Sequence, residues 1–247
     1  MGPIRSTARS TRTGRRGCRG SSRSRSLRPV RIGIVGTGRI GSGCARMFAR
    51  AGHEVMLSGS REPSAYDGLA EELGGSVGTP AEAVAFGDVF VFAVPWGTID
   101  DVVPELGPLE GKIVIDTTNQ FGPGGVQDLD GRTAAQLNAE RLAGARYTKS
   151  FNTLTSAFQA EASPRTGADR VAMWLCGDDA DAKELVSGLI ADAGFVPIDL
   201  GGTADAAAME APRREGAVYG EEYREPEARE AAEALRAGKP APPPPQY

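Results

Sequence analysis

The stretch Val30-Arg31-Ile32-Gly33-Ile34-Val35-Gly36-Thr37-Gly38-Arg39-Ile40-Gly41 decides the fold. Its first six residues make an apolar, largely β-branched run, the pattern of a strand buried on both faces of a parallel sheet. Gly36-x-Gly38-x-x-Gly41 follows at once, so the chain can turn tightly and present backbone N–H groups to a pyrophosphate at a helix N-terminus. The glycine pattern alone also fits a loop turn, and its setting decides between the two. A helix is expected over Arg39–Ala51, then Gly52-His53-Glu54, then a second apolar run Val55-Met56-Leu57. Together these form a βαβ unit of about thirty residues, the size a dinucleotide fold needs.

The end of the second strand narrows the cofactor. An NAD-preferring site carries an acid there to accept from the ribose 2′-hydroxyl. Here the chain reads Ser58-Gly59-Ser60-Arg61, with Glu62 past the expected strand end. A hydroxyl and a guanidinium suit a 2′-phosphate, which a carboxylate would repel. NADP(H) is therefore the expected cofactor, against the plainer reading of Ser60 and Arg61 as a solvated turn.

The order strand, helix, strand, helix runs on through the body. Strands are expected over Asp88–Val94, Lys112–Asp116, Arg146–Phe151, Arg170–Cys176 and Phe195–Leu200. Helices are expected over Gly97–Leu106, Thr133–Leu142, Leu154–Ala162 and Asp179–Ala193, with a glycine loop over Phe121–Gly131. Such alternation predicts an α/β fold, a doubly wound, mostly parallel sheet of Rossmann type, with ligands beyond the carboxyl ends of the strands. Pro95-Trp96, Thr117-Thr118-Asn119 and Phe151-Asn152-Thr153 sit at such ends. Each also has a plainer reading, as a turn or a core cap.

Composition bounds the rest. The chain has 247 residues, 40% hydrophobic, three cysteines and one histidine. Cys18, Cys44 and Cys176 are too scattered for a disulfide framework or a metal site, and none is expected. No apolar run is long enough to span a membrane, and a cytoplasmic location is expected. Residues 1–30 are rich in Arg and Ser and hold no acid, so a disordered extension is expected there. Without the ten arginines of residues 1–31, the body holds 18 Lys and Arg against 32 Asp and Glu. So acidic a body repels phosphate backbones, and no nucleic-acid partner is expected. The region 31–202 reads as the NADP-binding domain. Residues 203–247 read as a charged, Pro-ending segment, partly disordered, with a short helix over Glu227–Ala237.

In the residues Gly36–Gly41, Ser58–Arg61, Phe92-Ala93-Val94-Pro95-Trp96, Val114–Asn119, Lys149–Leu154 and Cys176–Asp179, the chain resembles the NADP oxidoreductases that use the deazaflavin coenzyme F420. The resemblance covers roughly 31–202. It implies hydride transfer between NADPH and F420, a reaction that depends on approach and orientation, so no catalytic side chain is named. It also implies that the turn Gly36-Thr37-Gly38-Arg39-Ile40-Gly41 binds the cofactor, with Thr37, Arg39 and Ile40 meeting the pyrophosphate. Ser60 and Arg61 would then meet the 2′-phosphate. Pro95, Trp96 and Asn119 would flank the nicotinamide, with Ala93 and Val94 also counted as cofactor-binding.

Family members continue past the last strand into an apolar helix that helps close the coenzyme pocket. Here the charged segment 203–247 stands in that place, which leaves the second-substrate pocket open, altered or completed by another subunit. A flavin, quinone or metal acceptor is thus open beside F420, and so is a homodimer. Lys149 and Asn152 are spaced like a catalytic pair of the β-hydroxyacid dehydrogenases. There the pair sits on a long helix, and here it follows Arg146-Tyr147-Thr148 at an expected strand, so the match reads as coincidence. The competing class of function is a non-catalytic NADP-binding sensor or scaffold.

Overall fold

The computed structural model describes residues 1–2 and 28–247. Most of the extension at 1–30, and Cys18 within it, lies outside the described residues. Strand β1 (Arg31–Val35) passes through the glycine turn into α1 (Arg39–Arg50), and β2 (Glu54–Ser58) returns parallel to β1. Helix α2 (Asp67–Leu73), strand β3 (Ser76–Val77) and helix α3 (Pro80–Phe86) follow. Strand β4 (Val89–Phe92) then pairs with β1 on its other side.

The helix expected over Gly97–Leu106 is instead one α-turn, α4 (Ile99–Val102), between two 3-10 turns, because Pro104 cannot extend an α-helix ladder. After β5 (Ile113–Asp116), the loop at 121–131 contains a short hairpin, β6 (Phe121–Gly122) and β7 (Gly125–Val126). The rest runs α5 (Ala134–Arg141), β8 (Arg146–Lys149), α6 (Ser156–Ala162), β9 (Ala172–Gly177), α7 (Ala180–Asp192), β10 (Val196–Gly201) and α8 (Glu225–Arg236).

Eight strands form one sheet in the order β10-β9-β8-β5-β4-β1-β2-β3. Every pair is parallel except β8–β9, so the mostly parallel, doubly wound sheet is the fold that forms. Its strands are apolar on both faces. Val89 and Val91 of β4 pack into one layer with Ile32, Ile34, Phe48 and Phe195, whereas Phe90 and Phe92 pack into the other with Trp96, Trp174 and Tyr223. Each such fully buried side chain contributes roughly 1.5–3 kcal/mol. Local signals set the helix starts: Thr79 with Glu82, and Thr133 with Gln136, form reciprocal capping boxes at α3 and α5.

The segment 203–247 corrects an expectation. It packs on the sheet rather than ending in disorder. Ala206, Met209, Ala211, Val218 and Tyr223 are buried. Ala228, Ala231 and Ala232 line the buried face of α8, which packs on β10. Small side chains at helical spacing suffice here because they let the helix backbone come close to the sheet. The proline run is tied down as well. The Tyr223 hydroxyl donates to the Pro242 carbonyl at 2.6 Å, and the Arg224 guanidinium lies 4.2 Å over the Tyr247 ring. Among the described residues, no helix is long and apolar enough to cross a membrane.

Candidate active site

A cavity of about 1390 Å³ runs along the carboxyl ends of β2, β1, β4, β5 and β8. It is lined by Gly36, Thr37, Gly38, Arg39, Ile40, Ser60, Arg61, Ala93, Val94, Pro95, Trp96 and Asn119. Every residue expected from the sequence to bind the cofactor therefore faces one space, with one exception. Gly41 lies behind it, where a Cβ would stand 1.9 Å from the Gly36 carbonyl oxygen. Its part is the close approach of α1 to the turn.

The turn is held from the strand side. The Gly36 N–H and the Thr37 hydroxyl both donate to the Ser58 carbonyl, at 3.0 and 2.8 Å. Gly36 adopts φ +97° against the Ala93 carbonyl, a combination closed to a side chain. Gly38 caps α1 with no side-chain bond, and no acid lies in the first helical turn. The first N–H groups of this 12-residue helix thus lack an intrahelical acceptor and carry the positive end of its dipole. A Cβ at Gly38 would meet no atom within 4 Å, only the open cavity. Backbone donors facing free space fit a pyrophosphate.

At the β2 end, the Arg61 guanidinium lies 5.0 Å over the Tyr66 ring. The Tyr66 hydroxyl in turn accepts from the Arg61 N–H at 3.3 Å. Among the described residues Arg61 forms no ion pair, so its fork of donors is available beside Ser60. That arrangement fits a 2′-phosphate. Further along, the Trp96 indole N–H donates to Gln127 Oε1 at 2.8 Å, and the Arg141 guanidinium lies 4.8 Å over the Trp96 ring. These contacts fix the plane of the indole wall.

The far end of the cavity is made by the strand-end candidate Thr153 and by residues the sequence left unassigned: Leu154 and Phe158 after β8, and Arg213, Tyr219 and Glu222 from the C-terminal segment. This chain's own C-terminal segment lines that side, so of the expected alternatives the altered pocket is the one described within a single chain. Phe151 redirects the chain at the end of β8. It takes φ +57°, an unusual conformation for a bulky residue. Its ring packs edge-on against Phe48 and Phe195, which holds it there. Asn152 then donates to Asn119 Oδ1 at 3.1 Å and to the Met209 carbonyl at 2.6 Å. Asn119 donates back to the Asn152 carbonyl, and Gln120 to the Ala211 carbonyl. The Gly220 N–H donates to the Thr153 carbonyl at 2.9 Å.

Beneath this end lies a buried ionic cluster. Lys149 Nζ donates to the Thr118 carbonyl at 2.7 Å and to Asp116 Oδ2 at 3.2 Å, and lies 3.8 Å from Glu210 Oε1. Glu210 caps α5, accepting from the Ala134 and Ala135 N–H groups at 2.8 Å. Asp116 also accepts from the Tyr147 hydroxyl at 2.5 Å and from Asn138 at 2.9 Å. Burial and, after it, the Asp116 carboxylate push the Tyr147 phenol well up, so it remains a donor. Lys149 is fully buried and does not line the cavity, which agrees with reading the Lys149–Asn152 spacing as coincidence. Only the long-range pairing with Glu210 reveals what this lysine does.

Residues 31–120 match the family model described as NADP oxidoreductase coenzyme F420-dependent. The chain is similar to the metalloreductase STEAP3 of Rattus norvegicus, 34% identical over 185 residues that cover 73% of this chain and 36% of that protein. The chain thus spans little more than a third of that relative. Among solved structures, the hypothetical protein SMa0349 from Sinorhizobium meliloti superposes with a TM-score of 0.72 at 29% identity, over 80% of this chain and 96% of that one. An imine reductase from a Pseudomonas species gives 0.55 at 19% identity, over 72% of this chain and 58% of that one. A pyrroline-5-carboxylate reductase from Coxiella burnetii gives 0.53 at 16%, over 74% and 64%. The last two likenesses show the fold alone. The glycine turn and the first strand ends of the cavity thus lie within the region 31–120 that matches the model described as NADP oxidoreductase coenzyme F420-dependent.

Proposed function

We propose that the protein transfers hydride between NADPH and a flat acceptor, coenzyme F420 or a flavin or quinone of like shape. One observation carries this reading: the cavity continues, unbroken, from Ser60 and Arg61 past the α1 N-terminus to Trp96 and on to the C-terminal wall. Its volume of about 1390 Å³ exceeds the roughly 300–1,000 Å³ of a pocket for one drug-sized ligand. There is room for a dinucleotide and a second planar molecule end to end.

When bound, NADPH supplies the hydride from its nicotinamide. The chain supplies placement. Ser60 and Arg61 grip the 2′-phosphate, the first turn of α1 holds the pyrophosphate, and Pro95 and Trp96 form the wall for the nicotinamide. Asn119, fixed by Asn152, meets the same ring from β5. The C-terminal segment covers the far side and keeps water from the reacting faces. Holding two reactants in line supplies much of the acceleration such a reaction needs.

Anaerobic mixing of the protein with NADPH and oxidised F420, followed by the deazaflavin absorbance, tests the proposal. FMN and menadione serve as further acceptors and NADH as the control nucleotide. Bleaching with NADPH and not NADH is the expected result. Tight NADPH binding with no acceptor reduced would replace it with a sensor or scaffold role.

A further inference from the structure

Among the described residues, the acceptor end of the cavity holds one ionisable side chain with no protein partner. Tyr219 lines the cavity and is half-buried. Among the described residues its hydroxyl makes no hydrogen bond. The neighbouring charged groups on that wall are already committed. Arg213 is paired with Glu221, at 2.5 Å between Nε and Oε1. Glu222 is paired with Arg165 at 2.7 Å and lies 3.9 Å from Arg224. The remaining titratable lining residues stand elsewhere. Tyr66 and Arg61 contact each other at the β2 end, Arg39 starts α1, and Asp101 and Glu105 are exposed beyond Trp96.

The position of Tyr219 follows from the sheet. Its neighbour Gly220 is bonded to Thr153, just past β8. Strand β8 is the third strand beyond β1 in the order β1-β4-β5-β8. Neighbouring strands lie about 4.8 Å apart, so β8 stands roughly 14 Å from the strand whose end holds the pyrophosphate. A nicotinamide over β4 and β5 leaves the space before Tyr219 for the second substrate.

We propose that Tyr219 is the proton donor to that substrate, and that the acceptor is of the class whose reduction takes a proton together with the hydride: a quinone, a deazaflavin or a flavin. The inference rests on the reading of the cavity as a hydride-transfer site. The acceptor gains two electrons and one hydrogen as hydride from NADPH. The Tyr219 O–H bond breaks, and its proton forms a new O–H or N–H bond on the acceptor where negative charge develops. Solvent returns a proton to the phenolate. Burial raises the Tyr219 phenol above its ordinary range, so the donor form persists through neutral and mildly alkaline pH.

Tyr219→Phe is the test, since the lost hydroxyl bonds to nothing in the fold. With menadione and with F420 as acceptors, kcat is expected to fall about 100-fold, the lower end of what a positioned general acid supplies. The Kd for NADPH should not move. The residual rate should fall as pH rises between about 6 and 9 and recover with added imidazolium, whereas the wild-type rate stays level. Independently of turnover, menadione added to the protein with NADP+ should perturb the ultraviolet absorbance of a tyrosine, and Tyr219→Phe should abolish the signal. A variant that turns over like wild type, or raises KM with kcat intact, overturns the inference and leaves the hydride-transfer reading standing. A wild-type protein that reduces neither acceptor and shows no tyrosine signal overturns both.

Discussion

At the nucleotide end, the cavity wall is backbone from consecutive residues: the turn Gly36–Gly38 and the first turn of α1, tied to the neighbouring strand through the Ser58 carbonyl. At the acceptor end, the wall is made of side chains and carbonyls brought from β5, β8 and the C-terminal segment, with Asn119 and Ala211 joined across 92 positions. The first end is stable as soon as β1, α1 and β2 pack. The second depends on the buried set Asp116, Lys149 and Glu210, together with the bonds from Asn152 and Gln120, to hold the last segment across the strand ends. A backbone-built site tolerates drift everywhere except at its glycines, whereas a side-chain-built wall is exposed to the loss of one buried partner.

The largest effect should come from breaking that partner. Lys149→Met leaves the Asp116 and Glu210 carboxylates buried without their cation. Removing one member of a buried pair costs about 3–5 kcal/mol, read as a lower urea midpoint. Combining it with Glu210→Gln should cost clearly less than the sum of the single changes, because both act on one cluster. If the double variant is additive, the two ends do not differ in the way described. The nucleotide end predicts a smaller effect, confined to binding. Arg61→Ala should weaken NADPH by about 1.5–3 kcal/mol, the range for a hydrogen bond to a charged group, and leave NADH nearly unchanged. Parallel fluorescence titrations decide it, and equal losses would show that Arg61 does not read the 2′-phosphate.

The same contrast explains what could be read from the sequence. The β1–α1–β2 unit announces itself because its signals are local: β-branched runs, three glycines at fixed spacing and a strand end without an acid. All but one of the residues expected to bind the cofactor line the cavity, since a nucleotide site of this kind is laid out strand end by strand end. The segment 203–247 gave no such signal. Its apolar residues are mostly alanines among charges, too weak in any short window to mark a core, and they become buried only against α5, β8, β9 and β10. Glu210 likewise looks like one acid among many until α5 is placed beside it. Tyr219 stayed hidden for the same reason, because nothing near it in sequence says that it lines a cavity. The hairpin at β6 and β7 is two residues per strand, below the length at which alternation is visible.

Two glycines of one turn sharpen the comparison at smaller scale. Gly41→Ala drives a Cβ to 1.9 Å from the Gly36 carbonyl oxygen. Overpacking of this sort costs about 1–3 kcal/mol, and the urea midpoint should fall with nucleotide affinity. Gly38→Ala meets no protein atom within 4 Å, so the midpoint should hold while NADPH affinity alone is lost. A fall in stability at both positions would mean that the space before Gly38 belongs to the fold rather than to a ligand.

The smallest effect tests a surface counterpart of the buried cluster. Asp179 receives two bonds from Arg146, at 2.6 and 2.7 Å, and caps α7 through the Ala182 N–H. Hydrogen bonds from Arg146 hold its carboxyl well below the ordinary range. A depressed carboxylate stabilises the fold at any pH above its unfolded value of about 3.9 and loses that contribution as pH falls toward the folded value. Asp179→Asn keeps the cap acceptor and loses the ion pair. Its deficit against wild type should stay level from neutral pH to about 5 and close below about 4. Half-exposed charges are screened by salt, so raising ionic strength should shrink this deficit while leaving that of Lys149→Met in place. If salt erased both deficits alike, the buried cluster would be behaving as a surface pair, and the acceptor wall would need another explanation for what holds it.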